Sequence, residues 1–138
     1  MAETFRFATP IAIRFRDLDA FGHVNNAVYF TYMEMARVEY FKHLGLLADE
    51  FPSPFFIIAE ATCQFKAPIL MTAQLSIQAR VSRLGNSSFD MEYQFVDTAD
   101  GRLLAGGRTV QVMFDYAVGR AVPLPDRWRQ TLMDFEAI

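Results

Sequence analysis

Two carboxylates, one histidine and two asparagines fall within ten positions in the segment Arg16-Asp17-Leu18-Asp19-Ala20-Phe21-Gly22-His23-Val24-Asn25-Asn26. A carboxylate can act as a general base or a nucleophile, an imidazole can orient a reactant or exchange a proton, and an asparagine can cap a helix. The run ends where a long apolar segment begins, so these side chains would stand beside a helix N-terminus. The unpaired N–H groups and positive dipole end there can hold a developing oxyanion, and acyl transfer needs that combination. The same residue types are also ordinary turn and cap residues, and spacing by itself does not decide between the two readings. Other chemistries have weaker footing. Ser87 and Ser88 lack a Gly-x-Ser-x-Gly context, Cys63 sits in a strand pattern with no evident base, and His23 and His43 are separated by most of a helix with no thiolate cluster, so no metal site is expected.

The elements that would carry this segment are legible as changes of hydrophobic period. Ile11, Ile13 and Phe15 alternate with Ala12, Arg14 and Arg16, which predicts a first strand from Ile11 to Arg16 and puts Asp17 and Asp19 on one face by parity. Asn25 and Asn26 offer caps and Gly45 a stop for a helix from Ala27 to Leu44. Val28, Tyr29, Phe30, Tyr32, Met33, Met35, Ala36, Val38, Tyr40 and Phe41 leave that helix only a thin polar stripe, so it should be enclosed on most sides. Period-two runs then follow. In the first, Ile57, Ala59, Ala61, Cys63, Phe65 and Ala67 face inward and Pro68 closes the strand; Leu75 to Ser82 and Phe89 to Phe95 come next. A last strand runs from Arg102 to Asp115, with turns at Gly85-Asn86 and Asp100-Gly101 and a bulge expected at Gly106-Gly107. Pro123 and Pro125 precede a short final helix from Asp126 to Phe135 that should pack on the rest. Strand, enclosed helix, then four antiparallel strands is an α+β order in which one sheet curls around one helix.

The composition bounds what such a domain can do. At 138 residues, 52% hydrophobic and 21% charged, residues 1–138 read as a single globular domain. A net charge of −3 supplies no basic field for nucleic acid. The lone Cys63 excludes an internal disulfide and fits a reducing compartment. Glu3 and Arg6 interrupt the N-terminal region where a signal peptide would need an apolar run, and no stretch reaches the roughly 18 apolar residues of a bilayer span, so a cytoplasmic protein without membrane insertion is expected. Fourteen Phe, five Tyr and one Trp need a wide internal face or a subunit contact, which points to a homodimer or homotetramer.

Asp17-Leu18-Asp19, Gly22-His23-Val24-Asn25-Asn26, Tyr29 and Glu34-Met35-Ala36-Arg37, together with the element order over nearly the whole chain, resemble the 4-hydroxybenzoyl-CoA thioesterase family of hot-dog proteins, and the His-Val-Asn-Asn run is similar to its long-chain acyl-CoA thioesterase branch. The resemblance implies a hot-dog fold and hydrolysis of an acyl-CoA without a cofactor. It implies that Asp19, the second aspartate, activates water or attacks the thioester, while backbone N–H groups near Val24 to Asn26 hold the oxyanion. His23 would orient water or substrate, or serve only as a bonded turn residue; Asn25 and Asn26 complete the site, chiefly as caps. Plant acyl-carrier-protein thioesterases share the run but usually carry an asparagine two residues after the aspartate, where this chain has Phe21. The family often places nucleotide contacts near the turn that here holds Arg83, Asn86, Ser87 and Ser88, with Lys66 and Arg108 as lesser phosphate candidates. A different hot-dog group uses a helix glutamate, for which Glu34 and Glu39 are available, although Glu34 with Arg37 and Glu39 with Lys42 or His43 have ion-pair spacing. Competing readings are an acyl-carrier-protein thioesterase, a hydratase or dehydratase with Asp19 and His23 as acid and base, and a non-catalytic acyl-binding module.

Overall fold

The chain enters through a short strand, β1 (Phe7–Pro10), passes a 3-10 turn (Phe15–Asp17) and winds into helix α1 (Asn26–His43). Strands β2 (Phe55–Phe65), β3 (Leu75–Leu84), β4 (Ser88–Asp97) and β5 (Arg102–Asp115) follow, then the two-residue β6 (Arg120–Ala121) and helix α2 (Asp126–Glu136). This computed structural model describes residues 4–47 and 55–138. The strands form one antiparallel sheet in the order β1-β3-β4-β5-β2, with β6 on the end of β5. Among the described residues no helix is long and apolar enough to cross a membrane.

The inner face of the sheet is built by the predicted alternation. Leu75, Ile77, Ala79 and Val81 of β3 and Phe89, Met91, Tyr93 and Phe95 of β4 are buried beneath Tyr29, Tyr32, Met33, Ala36, Tyr40 and Phe41 of α1. Each large apolar side chain enclosed this way stabilises the fold by about 1.5–3 kcal/mol. Phe41 is the junction: its ring lies 5.2 Å from Phe56, 6.0 Å from Phe89 and 5.1 Å from Trp128, tying α1 to β2, β4 and α2. Glu136 fastens α2 at its far end, accepting from the Tyr40 hydroxyl at 2.6 Å and from the Val81 N–H at 2.9 Å.

Several expectations are corrected. The first strand is Phe7–Pro10, four residues before Ile11–Arg16, because Ile11 makes one more bond to the sheet (N to Leu75 O, 2.9 Å) and Asp17 then draws Arg14 into the 3-10 turn. Phe15 accordingly points out and is 83% exposed, and the parity argument for Asp17 and Asp19 fails with it. There is no bulge at Gly106-Gly107. Both glycines pair in register with β2 and β4, and the extra residue is Leu104, between the pairs Phe95↔Ala105 and Val96↔Leu103. Gly107 serves another purpose: a Cβ there would lie 2.6 Å from the Met33 sulfur, so its bareness lets α1 approach the sheet.

β2 departs from its expected inward face. Among the described residues it borders β5 alone, skips Ala59 at an irregularity, and is exposed over much of its length, including Ile57, Ile58 and Phe65. Among the described residues α1 is not covered on every side, since Phe30 and Met35 stand outward. The Glu39–Lys42 pair forms at 3.7 Å, while Glu34 and Arg37 make none.

Candidate active site

Asp17 anchors the turn that presents the candidate carboxylate. Its buried side chain accepts from the Arg14 backbone N–H (3.0 Å), the Arg14 guanidinium (2.9 Å) and the Tyr32 hydroxyl (2.6 Å). Burial works to raise the Asp17 carboxyl, but the bonds from Arg14 and Tyr32 outweigh it and hold the group below the usual carboxylate range. Burial, and then the bond to Asp17, push the Tyr32 phenol up. The first aspartate therefore ties the turn to the middle of α1.

Asp19 stands just beyond, at the neck of a small loop. Its N–H donates to His23 O at 2.7 Å, its carbonyl accepts from Gly22 N–H at 3.1 Å, and Gly22 closes the loop with φ +79°, a conformation that favours glycine. Oδ1 accepts from the N–H groups of Phe21 (2.9 Å) and His23 (3.2 Å), whereas Oδ2 accepts no hydrogen bond among the described residues. One oxygen orients the exposed carboxylate and the other stays uncommitted.

The N–H groups at the start of α1 can be accounted for singly. Val24 N–H donates to Ile69 O at 2.8 Å, Asn25 N–H to Asp17 O at 2.9 Å, and Ala27 N–H to the Asn25 side chain at 2.9 Å. Asn25 is thus the N-cap, with its side chain spent on that role. Asn26, the first helical residue, keeps an N–H with no acceptor among the described residues, at the positive end of the helix dipole. Of the N–H groups from Val24 to Asn26, that of Asn26 is the one without an acceptor among the described residues.

Asp19, His23, Asn26 and Tyr29 line one pocket of about 200 Å³, closed from β2 and the loop after it by Phe65 and Lys66. The Tyr29 ring meets Phe65 edge-on at 4.8 Å, and burial holds its phenol above the ordinary value. Burial also pushes the nearby Cys63 thiol up to about 11, which leaves it protonated and a poor nucleophile at neutral pH. Tyr29 was detectable in the sequence as the residue one turn after Asn26 on the same helix face. Phe65 and Lys66 were not, because only the fold brings that end of β2 to the turn. The Arg14–Asp17–Tyr32 anchor was likewise hidden, as Tyr32 lies on α1, fifteen residues from Asp17 and away from the turn that holds the other two.

The remaining candidates lie elsewhere. Arg83 is at the far end of β3, about 27 Å from Leu75 at the usual rise per residue. Its guanidinium pairs with Asp90 at 2.9 Å and donates to Ser88 Oγ at 3.1 Å. The carbonyls of Asn86 and Ser87 accept from Leu124 and Met113 N–H groups, and Arg129 braces the turn through Gly85 O at 2.7 Å. Within one chain this turn does not converge with Asp19. Arg108 is engaged with Asp90 and Glu60, and neither Glu34 nor Glu39 lines the Asp19 pocket.

The family model described as the thioesterase-like superfamily matches residues 13–132. The acyl-CoA thioester hydrolase YbgC of Escherichia coli O157:H7 is 26% identical over 117 residues, covering 81% of this chain and 84% of YbgC. The uncharacterised protein YsmA of Bacillus subtilis is 28% identical over 130 residues, covering 94% of this chain and 87% of YsmA. A solved structure of a thioesterase complexed with coenzyme A and Zn, from Thermus thermophilus, matches with a TM-score of 0.85 and 34% identity over 99% of each chain.

Proposed function

This chain belongs to the thioesterase-like superfamily, has the hot-dog fold and is a thioester hydrolase, and on that premise we propose that it converts an acyl-CoA to a free acid and CoA at the Asp19 pocket. The observation that carries this reading is the pairing of a carboxylate oxygen and a helix N-terminal N–H, both uncommitted, on residues that line one pocket. Asp19 Oδ2 takes a proton from water as the water oxygen bonds to the thioester carbon, or bonds to that carbon itself before water releases the acid. Negative charge builds on the carbonyl oxygen, and the Asn26 N–H, aided by the helix dipole, stabilises it. The C–S bond then breaks and CoA leaves as thiolate, to be protonated by solvent. His23 borders the same space and orients water or the thioester.

CoA as the carrier is supported by the CoA bound in the Thermus structure and by the activity named for YbgC. Lys66 stands at the rim as a cation within reach of an entering ligand. Phosphate contacts from the Arg83 turn would have to come from a second copy of the chain, given its distance from Asp19. Pairing of copies is also suggested by the bare edge of β2 and the outward Phe30 and Met35. A time-resolved thiol-release screen over acyl-CoA chain lengths, with an acyl-carrier-protein thioester and an enoyl-CoA included, tests the reading. Thiol release from acyl-CoA is expected. Release only from the carrier protein would reassign the substrate, hydration of the enoyl-CoA without thiol release would reassign the reaction, and inactivity on all of them would leave an acyl-binding module.

A further inference from the structure

Arg37 is only 6% exposed, yet among the described residues no carboxylate lies within ion-pair distance of it. Its one side-chain partner is neutral: Nη1 donates to the Tyr93 hydroxyl at 3.1 Å, and that hydroxyl is shared with Thr109 at 2.7 Å. Thr109 leads on to Gln111, whose amide donates to Phe89 O at 2.9 Å, so the chain of bonds ends without a negative charge. A buried guanidinium is ordinarily compensated by an anion, because removing it from water is costly. Arg37 also lines a cavity of about 230 Å³ whose other walls are Val38, Phe41, Leu47, Phe55, Phe56 and Ile58. Glu34 lines the same cavity from the exposed side of the helix without pairing to Arg37.

We propose that this cavity binds a carboxylate carried on an apolar chain, the carboxylate meeting Arg37 and the chain lying against the phenylalanines and Ile58. The cavity lies between α1 and β2, as the Asp19 pocket does. Arg37 is eight residues along α1 from Tyr29, or about 12 Å at the helical rise. The carboxylate can therefore come from the far end of an ω-carboxyacyl thioester whose reacting end is at Asp19, or from a free acid. Only the first source rests on the function proposed above.

Titration calorimetry with octanoate and octanol separates charge recognition from apolar burial. Octanoate should bind at least about tenfold more tightly than octanol, as a charge-assisted bond to a desolvated guanidinium allows. Arg37→Gln should remove that preference while leaving octanol binding unchanged, and Glu34→Gln should increase it. Ile58→Trp, made at a half-exposed edge position, should weaken both ligands by filling the cavity, and it keeps the test decisive should Arg37→Gln fail to fold. The source is read by comparing octanoyl-CoA with its 7-carboxyheptanoyl counterpart. A roughly tenfold kcat/KM advantage for the latter, lost in Arg37→Gln, assigns the carboxylate to the substrate. Equal kcat/KM values with inhibition by octanoate assign it to a free acid. Equal affinity for octanoate and octanol in the unaltered protein would overturn the proposal, as would an Arg37→Gln variant that changes particle mass but keeps the preference, since Arg37 would then pair with a carboxylate of a second copy. Inactivity towards every thioester would count against the proposed function and leave the calorimetry intact.

Discussion

The Asp17 carboxylate accepts hydrogen bonds from Arg14 and Tyr32 inside the protein, whereas the Asp19 carboxylate is exposed with one oxygen uncommitted. An acid that is buried and fully bonded serves the fold, and one that is oriented by a single oxygen is available to a reactant. Because the folded-state pKa of Asp17 is depressed, its contribution to stability is present above the ordinary carboxylate range, about pH 4, and is lost as pH falls through the lower folded value. Asp17→Asn should thus unfold more easily at neutral pH by about 1–3 kcal/mol, the cost of a misfit among buried bonds. Its loss of stability on acidification should also be shallower than that of the unaltered protein. Denaturant unfolding at pH 7 and at about pH 2–3, below the ordinary carboxylate range, checks both, and kcat per folded molecule should fall far less than for Asp19→Asn. The sequence placed these two residues but could not separate their roles: parity treated them alike, the resemblance chose Asp19, and the partner that sequesters Asp17, Tyr32, is fifteen residues away.

The elements themselves were largely readable, since periods of 2 and 3.6 survive wherever one face packs on the core. α1 and β5 stand almost where the pattern placed them. The pattern misled where other forces act. Ile11 to Arg16 alternates, yet the Asp17 bonds wind its end into a turn; β2 alternates, yet as an edge strand it has no inner neighbour beyond β5 to bury it. The two glycines of β5 signalled irregularity, but Gly107 marks a close approach of Met33 instead. Gly107→Ala should therefore lift α1 from the sheet and destabilise the protein by about 1–3 kcal/mol, as overpacking does. If that contact is the cause, Gly107→Ala combined with Met33→Ala should lose less stability than the two single variants added together, measured by denaturant unfolding. Strict additivity would place the strain elsewhere.

At the scale of the whole molecule, the described residues leave part of the central helix uncovered. The uncovered β2 edge, with Ile57, Ile58 and Phe65 outward, and the exposed Phe30 and Met35 are the surfaces on which a second copy would be expected. Light scattering at micromolar concentration should give a mass at least twice that of the 15.8 kDa chain, and a monomer would refute the pairing. This level was the least legible in the sequence, because an apolar strand pattern is the same whether its face is buried within the chain or between copies.

The most direct test of the account is the turnover number of Asp19→Asn on the best acyl-CoA found by thiol release, with circular dichroism and particle mass matched to the unaltered protein. The amide keeps the size and the Oδ1 acceptor of the loop but is a poor base and nucleophile, so kcat should fall by at least about a hundredfold. Near-normal turnover in a folded Asp19→Asn protein, with Asp17→Asn or Glu34→Gln inactive instead, would contradict it.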